Sequence, residues 1–147
     1  MQHYHRILVA IDIYSEYDRV LKRALSTAAK SIDCSLVFVT LPPTYFQPYI
    51  SGIGGDFVVD IEKQARSRLT EIATQCDIPW EQVFTPSGRI ADEIQTVADD
   101  IKADLIVIGT HGRSGLRLLL GATANEVLHG VKQDVLAVRL HGNGSDE

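Results

Sequence analysis

The residue types most able to do chemistry are concentrated in one glycine-rich segment, from Gly109 to Glu126. Glycines let backbone N–H groups approach an anion closely, and a helix N-terminus beyond them offers free N–H groups and a favourable dipole. Arg113 and Arg117 would add positive charge. The pattern predicts a phosphate cradle. The alternative is that the glycines only shape turns and that both arginines are solvated.

The spacing of these glycines matches neither common phosphate motif, GxxxxGK[ST] or GxGxxG. P-loop NTPases and dinucleotide dehydrogenases are therefore disfavoured. Ser114 is followed at once by Gly115, so the G-x-S-x-G nucleophile elbow is also missing, and no acid–base partner is placed for this serine. We predict no catalytic residue.

Histidines and cysteines offer little further chemistry. His111 lies in the glycine-rich segment and could meet a phosphate, whereas His3 and His5 stand without further ligands at metal spacing, so no metal site is expected. Cys34 and Cys76 form no CxxC pair and are interpreted as small apolar side chains rather than redox sensors.

Short apolar runs alternate with helical periodicity along the whole chain. The runs predicted to be strands are Ile7–Ile11, Leu36–Val39, Val83–Phe84, Leu105–Ile108 and Val135–Leu140. Helical spacing of apolar residues spans 20–32, 58–76, 90–101 and 124–131, and Ser15 and Asp18 have the spacing of a capping box before the first helix. Such alternation predicts an α/β fold, with a five-stranded, doubly wound parallel sheet.

In such a sheet, ligands bind beyond the carboxyl ends of the strands, where the strand order reverses. Asp12 directly follows the first predicted strand and is a reasonable polar anchor there. Its alternative role is to cap a helix or tie a loop. Gly88 stands in a predicted strand-to-helix turn, where it could be only a turn residue.

Length and composition predict one globular domain, since 147 residues with 45% hydrophobic and 22% charged residues suit a single core with a solvated surface. The net charge of −5 argues against a general binder of nucleic acid or anionic membranes. No membrane span or signal peptide is evident, so we expect a cytosolic protein. The domain is predicted over 1–141, with a long loop at 42–56 and a polar tail at 142–147.

Four stretches, ILVAID, GTHGRSGL, LLLGATANEVLHG and DVLAVRL, make the chain resemble the universal stress protein family over about Tyr4 to Leu140. It looks most like the bacterial universal stress protein A type. The resemblance implies a parallel α/β fold of the adenine-nucleotide alpha-hydrolase-like (Rossmann-like) kind, and usually a homodimer. Many members bind ATP through G-x2-G-x9-G-[S/T], and others do not bind it.

Carried over residue by residue, Gly109 and Gly112 match the first two glycines of that motif. Gly121 matches the third, but only eight residues separate it from Gly112, and Ala122 stands where the family has Ser or Thr. Thr123 could replace the missing hydroxyl. Because Thr123 and Glu126 have T-x-x-E spacing, capping of the helix is the favoured role for this threonine.

The resemblance also assigns Asp12 to the nucleotide and Val39 to the neighbourhood of the adenine, although Val39 would be a core residue in any such fold. With Arg113 these residues complete the candidate site for ATP, with Mg, or a related adenine nucleotide. The expected function is that of a cytosolic stress-response regulator, with at most slow ATP hydrolysis. The alternative is a dimeric interaction module that binds no nucleotide. In either case Val135 to Leu140 would form an exposed edge strand that pairs with a second copy.

Overall fold

The computed structural model describes residues 4–14, 16–40, 56–110 and 121–140. Its strands are β1 (Ile7–Ala10), β2 (Cys34–Val37), β3 (Val83–Phe84), β4 (Leu105–Thr110) and β5 (Asp134–Arg139). Its helices are α1 (Tyr17–Thr27), α2 (Asp56–Gln75), α3 (Ile90–Asp100) and α4 (Gly121–Gly130). Short 3₁₀ turns at Ser31–Asp33 and Trp80–Gln82 lead into β2 and β3.

The five strands form one parallel sheet in the order β3-β2-β1-β4-β5. The central strand β1 pairs on both sides, with Ile7 opposite Cys34 of β2 and opposite Leu105 of β4. β1, β2 and β4 are buried along their whole length, which explains the continuous apolar runs Ile7–Ala10 and Leu105–Ile108. The predicted α/β class and five-stranded parallel sheet are confirmed.

Helices cover both faces of the sheet, so the fold is doubly wound. α1 and α2 pack on one face, where Val9, Leu36 and Val107 belong to the same core cluster as Leu21 and Leu69. α3 and α4 pack on the other face, whose cluster joins alternate strand residues such as Leu8, Val37 and Ile106 to Ile94 and Val127. Because successive side chains of a strand point to opposite faces of the sheet, these strands contribute residues to both core clusters.

Several predicted boundaries were wrong. β2 begins at Cys34 rather than at Leu36. Its start was misplaced because Ser35 interrupts the apolar run, although Ser35 pairs with Leu8 of β1. The strand also ends at Val37 rather than at Val39. β4 continues past Ile108 to Thr110, since Gly109 and Thr110 still pair with β5. β5 runs from Asp134 to Arg139, and the Leu140 N–H still donates to the Thr110 carbonyl at 2.8 Å.

The first helix is also shorter than its apolar spacing predicts. α1 ends at Thr27, because Ala28 is extended and forms a bridge with Tyr4. Ile32, predicted on the helix, lies in a 3₁₀ turn and is 56% exposed. The N-cap of α1 is Glu16, without a side-chain cap hydrogen bond, and Ser15 of the predicted capping box lies outside the described residues.

The predicted loop at 42–56 falls outside the described residues except for its last residue, Asp56, which begins α2. The predicted tail at 142–147 also falls outside them. Within the described part of the chain, none of the helices is both long enough and apolar enough to span a membrane.

Candidate functional site

The strand order reverses between β1 and β4, so the crevice beyond their carboxyl ends is where this fold holds ligands. Asp12 lies two residues after β1 and is only 6% exposed. Its Oδ1 accepts a hydrogen bond from the Tyr14 N–H at 2.9 Å. The carboxylate therefore does tie its own loop, the alternative role considered above, and this tie also fixes its position at the edge of the sheet.

A narrow crevice opens beside Asp12, with a volume of about 10 Å³. Its walls are apolar, from Ala10, Val37 and Val39 of the sheet side and from Ile90 and Ile94 of α3. Val39, predicted near an adenine, is 5% exposed and belongs to the core cluster under α3. The structure thus brings Asp12 and Val39 to the same crevice, a carboxylate beside an apolar slot.

The turn before α3 sets one wall of this crevice. Thr40, just beyond β2, donates from its backbone N–H to the Pro86 carbonyl at 2.8 Å and accepts from the Gly88 N–H at 3.1 Å. Gly88 has φ of +152°, and a Cβ there would lie 2.7 Å from Oε2 of Glu93. The turn needs glycine in this conformation. After this turn, Ile90 is the first residue of α3 and lines the crevice.

Gly109, the first glycine of the predicted cradle, lies inside β4 opposite Val138 rather than in a loop. A Cβ at this position would lie 2.8 Å from Cδ1 of Leu140 and 3.1 Å from Cγ2 of Val20. Close packing of α1 and the end of β5 against β4 therefore explains why a glycine stands here, whatever its backbone does toward a ligand.

The remaining cradle residues divide into two groups. Gly112, Arg113, His111 and Arg117 lie outside the described residues. Gly121 is the first residue of α4, so the backbone of Gly121, Ala122 and Thr123 forms its first turn. Free N–H groups at such a turn favour anions.

The predicted cap on this helix was wrong. The expectation that Thr123 caps α4 does not hold, because the helix begins two residues earlier, at Gly121. Glu126 is engaged elsewhere: its Oε2 accepts from Nη2 of Arg89 at 2.6 Å. The T-x-x-E spacing placed the helix start after Thr123. That start was misplaced because Gly121 and Ala122 are residue types typical of a loop.

The Arg89–Glu126 ion pair joins the N-terminus of α3 to α4. Nε of Arg89 also lies 3.1 Å from Oδ2 of Asp92. The hydrogen bond to Glu126, with the two nearby carboxylates, raises the pKa of the Arg89 guanidinium above its ordinary value. Both partners are more than half exposed, so the pair contributes little to stability and acts chiefly as a positional link.

Sequence reasoning missed Ile90 and Ile94 as crevice residues, although their spacing of four on a helix that starts at the carboxyl edge was a usable signal. It also missed Tyr14, whose ring is 57% exposed and meets Phe38 edge-on, with ring centroids 6.0 Å apart. Nothing in the periodicity indicates that contact, because Tyr14 lies in a turn.

Comparison with known proteins shows the family of the chain. The model of the universal stress protein family matches residues 3–139. The chain belongs to the universal stress protein family. Universal stress protein A homolog 1 of Coxiella burnetii is 37% identical over 139 residues, covering 92% of this chain and 96% of its own length.

Solved structures share the fold of this universal stress protein. The hypothetical protein MJ0577 superposes with a TM-score of 0.75 at 20% identity, covering 94% of this chain and 97% of its own. A universal stress protein solved in complex with cAMP superposes with a TM-score of 0.54 at 25% identity, covering 95% and 99% of the two chains.

Proposed function

We propose that this universal stress protein binds an adenine nucleotide, ATP with Mg or a related nucleotide, in the crevice beside Asp12. The observation that carries the proposal is a nearly buried carboxylate just after β1, the strand beside which the order reverses, next to apolar walls from the ends of β1 and β2 and from α3. The walls from Val39 and α3 are apolar, which is the surface that an adenine requires, and the Asp12 carboxylate can accept from ribose hydroxyls.

The phosphates would then extend toward Gly109, Gly112 and the first turn of α4 at Gly121, where backbone N–H groups and the helix dipole favour negative charge. Arg113 would add a cation. The relative solved in complex with cAMP supports an adenine nucleotide as the class of ligand. No residue of the site is assigned to catalysis, so a regulatory role in the response to stress fits better than turnover.

A second candidate function is a dimeric interaction module that binds no nucleotide. Three observations favour it: the tie from Asp12 to Tyr14, the packing reason for Gly109, and alanine at position 122 in place of a hydroxyl residue. In either function we propose a cytosolic homodimer that pairs through β5. Apart from β4, no described strand pairs with β5.

Calorimetric titration with Mg-ATP, and chromatography of the nucleotides released by denaturing the purified protein, test the proposal. The informative variant is Asp12→Asn, because the amide oxygen can still accept from the Tyr14 N–H while the charge is lost. We expect one site per chain and about tenfold weaker binding by the variant. Asp60→Asn, the same change at an exposed residue of α2, is the matched control.

At 100 times Kd the nucleotide should add about 2.7 kcal/mol, which raises the melting temperature by roughly 5–10 °C. Gly112→Val should abolish binding if this glycine approaches the phosphates. A preparation that holds no nucleotide and gives no heat at millimolar Mg-ATP would overturn nucleotide binding and leave the interaction module, whose partner could then be sought by capture.

A further inference from the structure

A second crevice lies at the opposite edge of the sheet, beside the amino ends of β1, β2 and β3. It is open to solvent and has a volume of about 430 Å³, within the range of small-molecule sites. Arg6 precedes β1, Ser35 lies in β2, Glu81 precedes β3, and Phe84 and Ile101 supply apolar surface. This crevice shares no lining residue with the one beside Asp12.

Two polar residues of the lining already serve the fold. Oδ2 of Asp33 accepts from the Lys30 N–H at 3.2 Å and holds the 3₁₀ turn before β2. Nε2 of Gln82 donates to the carbonyls of Ile32 and Cys34, which links the turn before β3 to the start of β2. These contacts fix the walls of the crevice and leave its other polar groups uncommitted.

Ser35 is the polar group set deepest in the crevice. It is 8% exposed, yet its hydroxyl makes no hydrogen bond to any residue that the structure describes. Its register opposite Leu8 places it on the α3 face of the sheet, the face against which Phe84 and Ile101 pack. The hydroxyl oxygen still reaches the solvent of the crevice, so it is available to a molecule there.

Two opposite charges stand at the rim. The backbone of Arg6 is held by Asp104, which accepts from the Arg6 N–H at 3.0 Å and donates its own N–H to the Arg6 carbonyl at 2.8 Å. Within the described residues, the Arg6 guanidinium forms no ion pair and neither does the Glu81 carboxylate. The two line one crevice without pairing with each other. The His5 imidazole, which also lines the crevice, makes no hydrogen bond or ion pair with a described residue.

We propose that this crevice binds a small zwitterion of the α-amino acid type. Arg6 and the Ser35 hydroxyl hold the carboxylate, Glu81 accepts from the ammonium group, and Phe84 and Ile101 pack against an apolar side chain. A simple anion is disfavoured because Asp33 and Glu81 share the lining, whereas a molecule that carries both charges satisfies both sides.

Three probes of similar shape separate the charges: L-leucine, 4-methylpentanoate with the carboxylate alone, and isopentylamine with the ammonium alone. Titration of the ¹⁵N-labelled full-length protein, followed by amide chemical shifts, should show saturable changes at Ser35, Phe84 and Ile101 with leucine. Each single-charge probe should bind at least about tenfold more weakly, because one charge-assisted set of hydrogen bonds is missing.

Arg6→Gln and Glu81→Gln should each weaken leucine about tenfold, while Arg23→Gln, the same change at an exposed residue of α1, should leave it unaltered. Ser35→Ala tests the hydroxyl without altering charge. No saturable shift at the solubility limit of leucine would overturn the proposal. So would binding of 4-methylpentanoate as tight as that of leucine, or equal loss in the Arg23→Gln control.

Discussion

The thiol of Cys34 illustrates how position decides reactivity at the scale of one residue. The side chain is fully buried in the core under α1 and α2, and burial, with a smaller effect of the Asp33 charge, raises its pKa to about 12. Burial also raises the pKa of the half-buried Cys76 thiol. Since the thiolate is the reactive form, both residues behave as the small apolar side chains that the sequence predicts.

We expect iodoacetamide at pH 8 to modify Cys76 slowly and Cys34 only after unfolding in urea, as read by mass spectrometry of intact protein and peptides. The raised pKa also sets a pH dependence. Between about pH 9 and 12 the unfolded chain loses the Cys34 proton while the folded chain keeps it, so the free energy of unfolding falls as pH rises.

Compared with Cys34→Ala, the wild type should therefore lose stability more steeply over that interval, by at most about 1.4 kcal/mol per pH unit. Equal slopes for the two proteins, or rapid native-state alkylation of Cys34, would contradict the assignment of this thiol to the closed core.

Single residues of the candidate site were predictable where strand ends alone place them. Asp12 follows a predicted buried strand and lies at the crevice. Val39 also lies there, but it was assigned to the site by the family resemblance. The role of Gly109 was not predictable, because its neighbours Leu140 and Val20 come from distant parts of the chain. Glycine spacing alone does not distinguish a backbone that approaches a ligand from one that must leave room for a packed side chain.

At the scale of elements, Gly109 marks the closest approach of α1 and the end of β5 to β4. Gly109→Ala should destabilise the protein by about 1–3 kcal/mol, because the added methyl group meets Leu140 and Val20 where both are buried. Urea unfolding measures the change. Gly130→Ala is the matched control, since its nearest neighbour would be Oε1 of Gln95 at 3.8 Å.

A double-mutant cycle with Leu140→Ala adds a check on the cause. The methyl group at position 109 should cost less once Leu140 is truncated, giving a coupling energy of about 0.5 kcal/mol or more. Additive effects of the two changes, or a Gly109→Ala variant as stable as Gly130→Ala, would mean that the close approach does not require glycine.

The order and type of the elements followed from the sequence, while several of their ends did not. Periodicity identifies a buried strand such as β1 or β4 directly. The start of β2 was hidden because Ser35 faces the crevice at the amino edge, and the end of α1 was hidden because Ala28 bridges to Tyr4. In each case a tertiary contact overrides the local pattern.

At the scale of the whole molecule, β5 pairs with β4 alone among the described strands, and we propose that its outer side pairs with a second copy. The Leu140 N–H points to β4, so by alternation the Ala137 N–H points away from the sheet. Ala137→Pro removes that outward donor and spares the pairing with β4. We expect sedimentation velocity to show a dimer for the wild type and a monomer for this variant at micromolar concentration.

Ala137→Ser retains the N–H and serves as the control. A wild-type protein that sediments as a monomer would contradict the proposed homodimer. An Ala137→Pro protein that still sediments as a dimer would mean that the interface lies on another surface.

The strand order also determines when each strand can pair while the chain is being synthesised. β1 is made first, yet one of its two partners, β4, begins about 100 residues later. At about 5–20 residues per second, the ribosome needs roughly 5–20 s to supply it. For that interval β1 can pair only with β2, and the future centre of the sheet is an open, apolar edge. A nascent chain stalled before β4 should therefore be the form most prone to aggregate and to recruit chaperones.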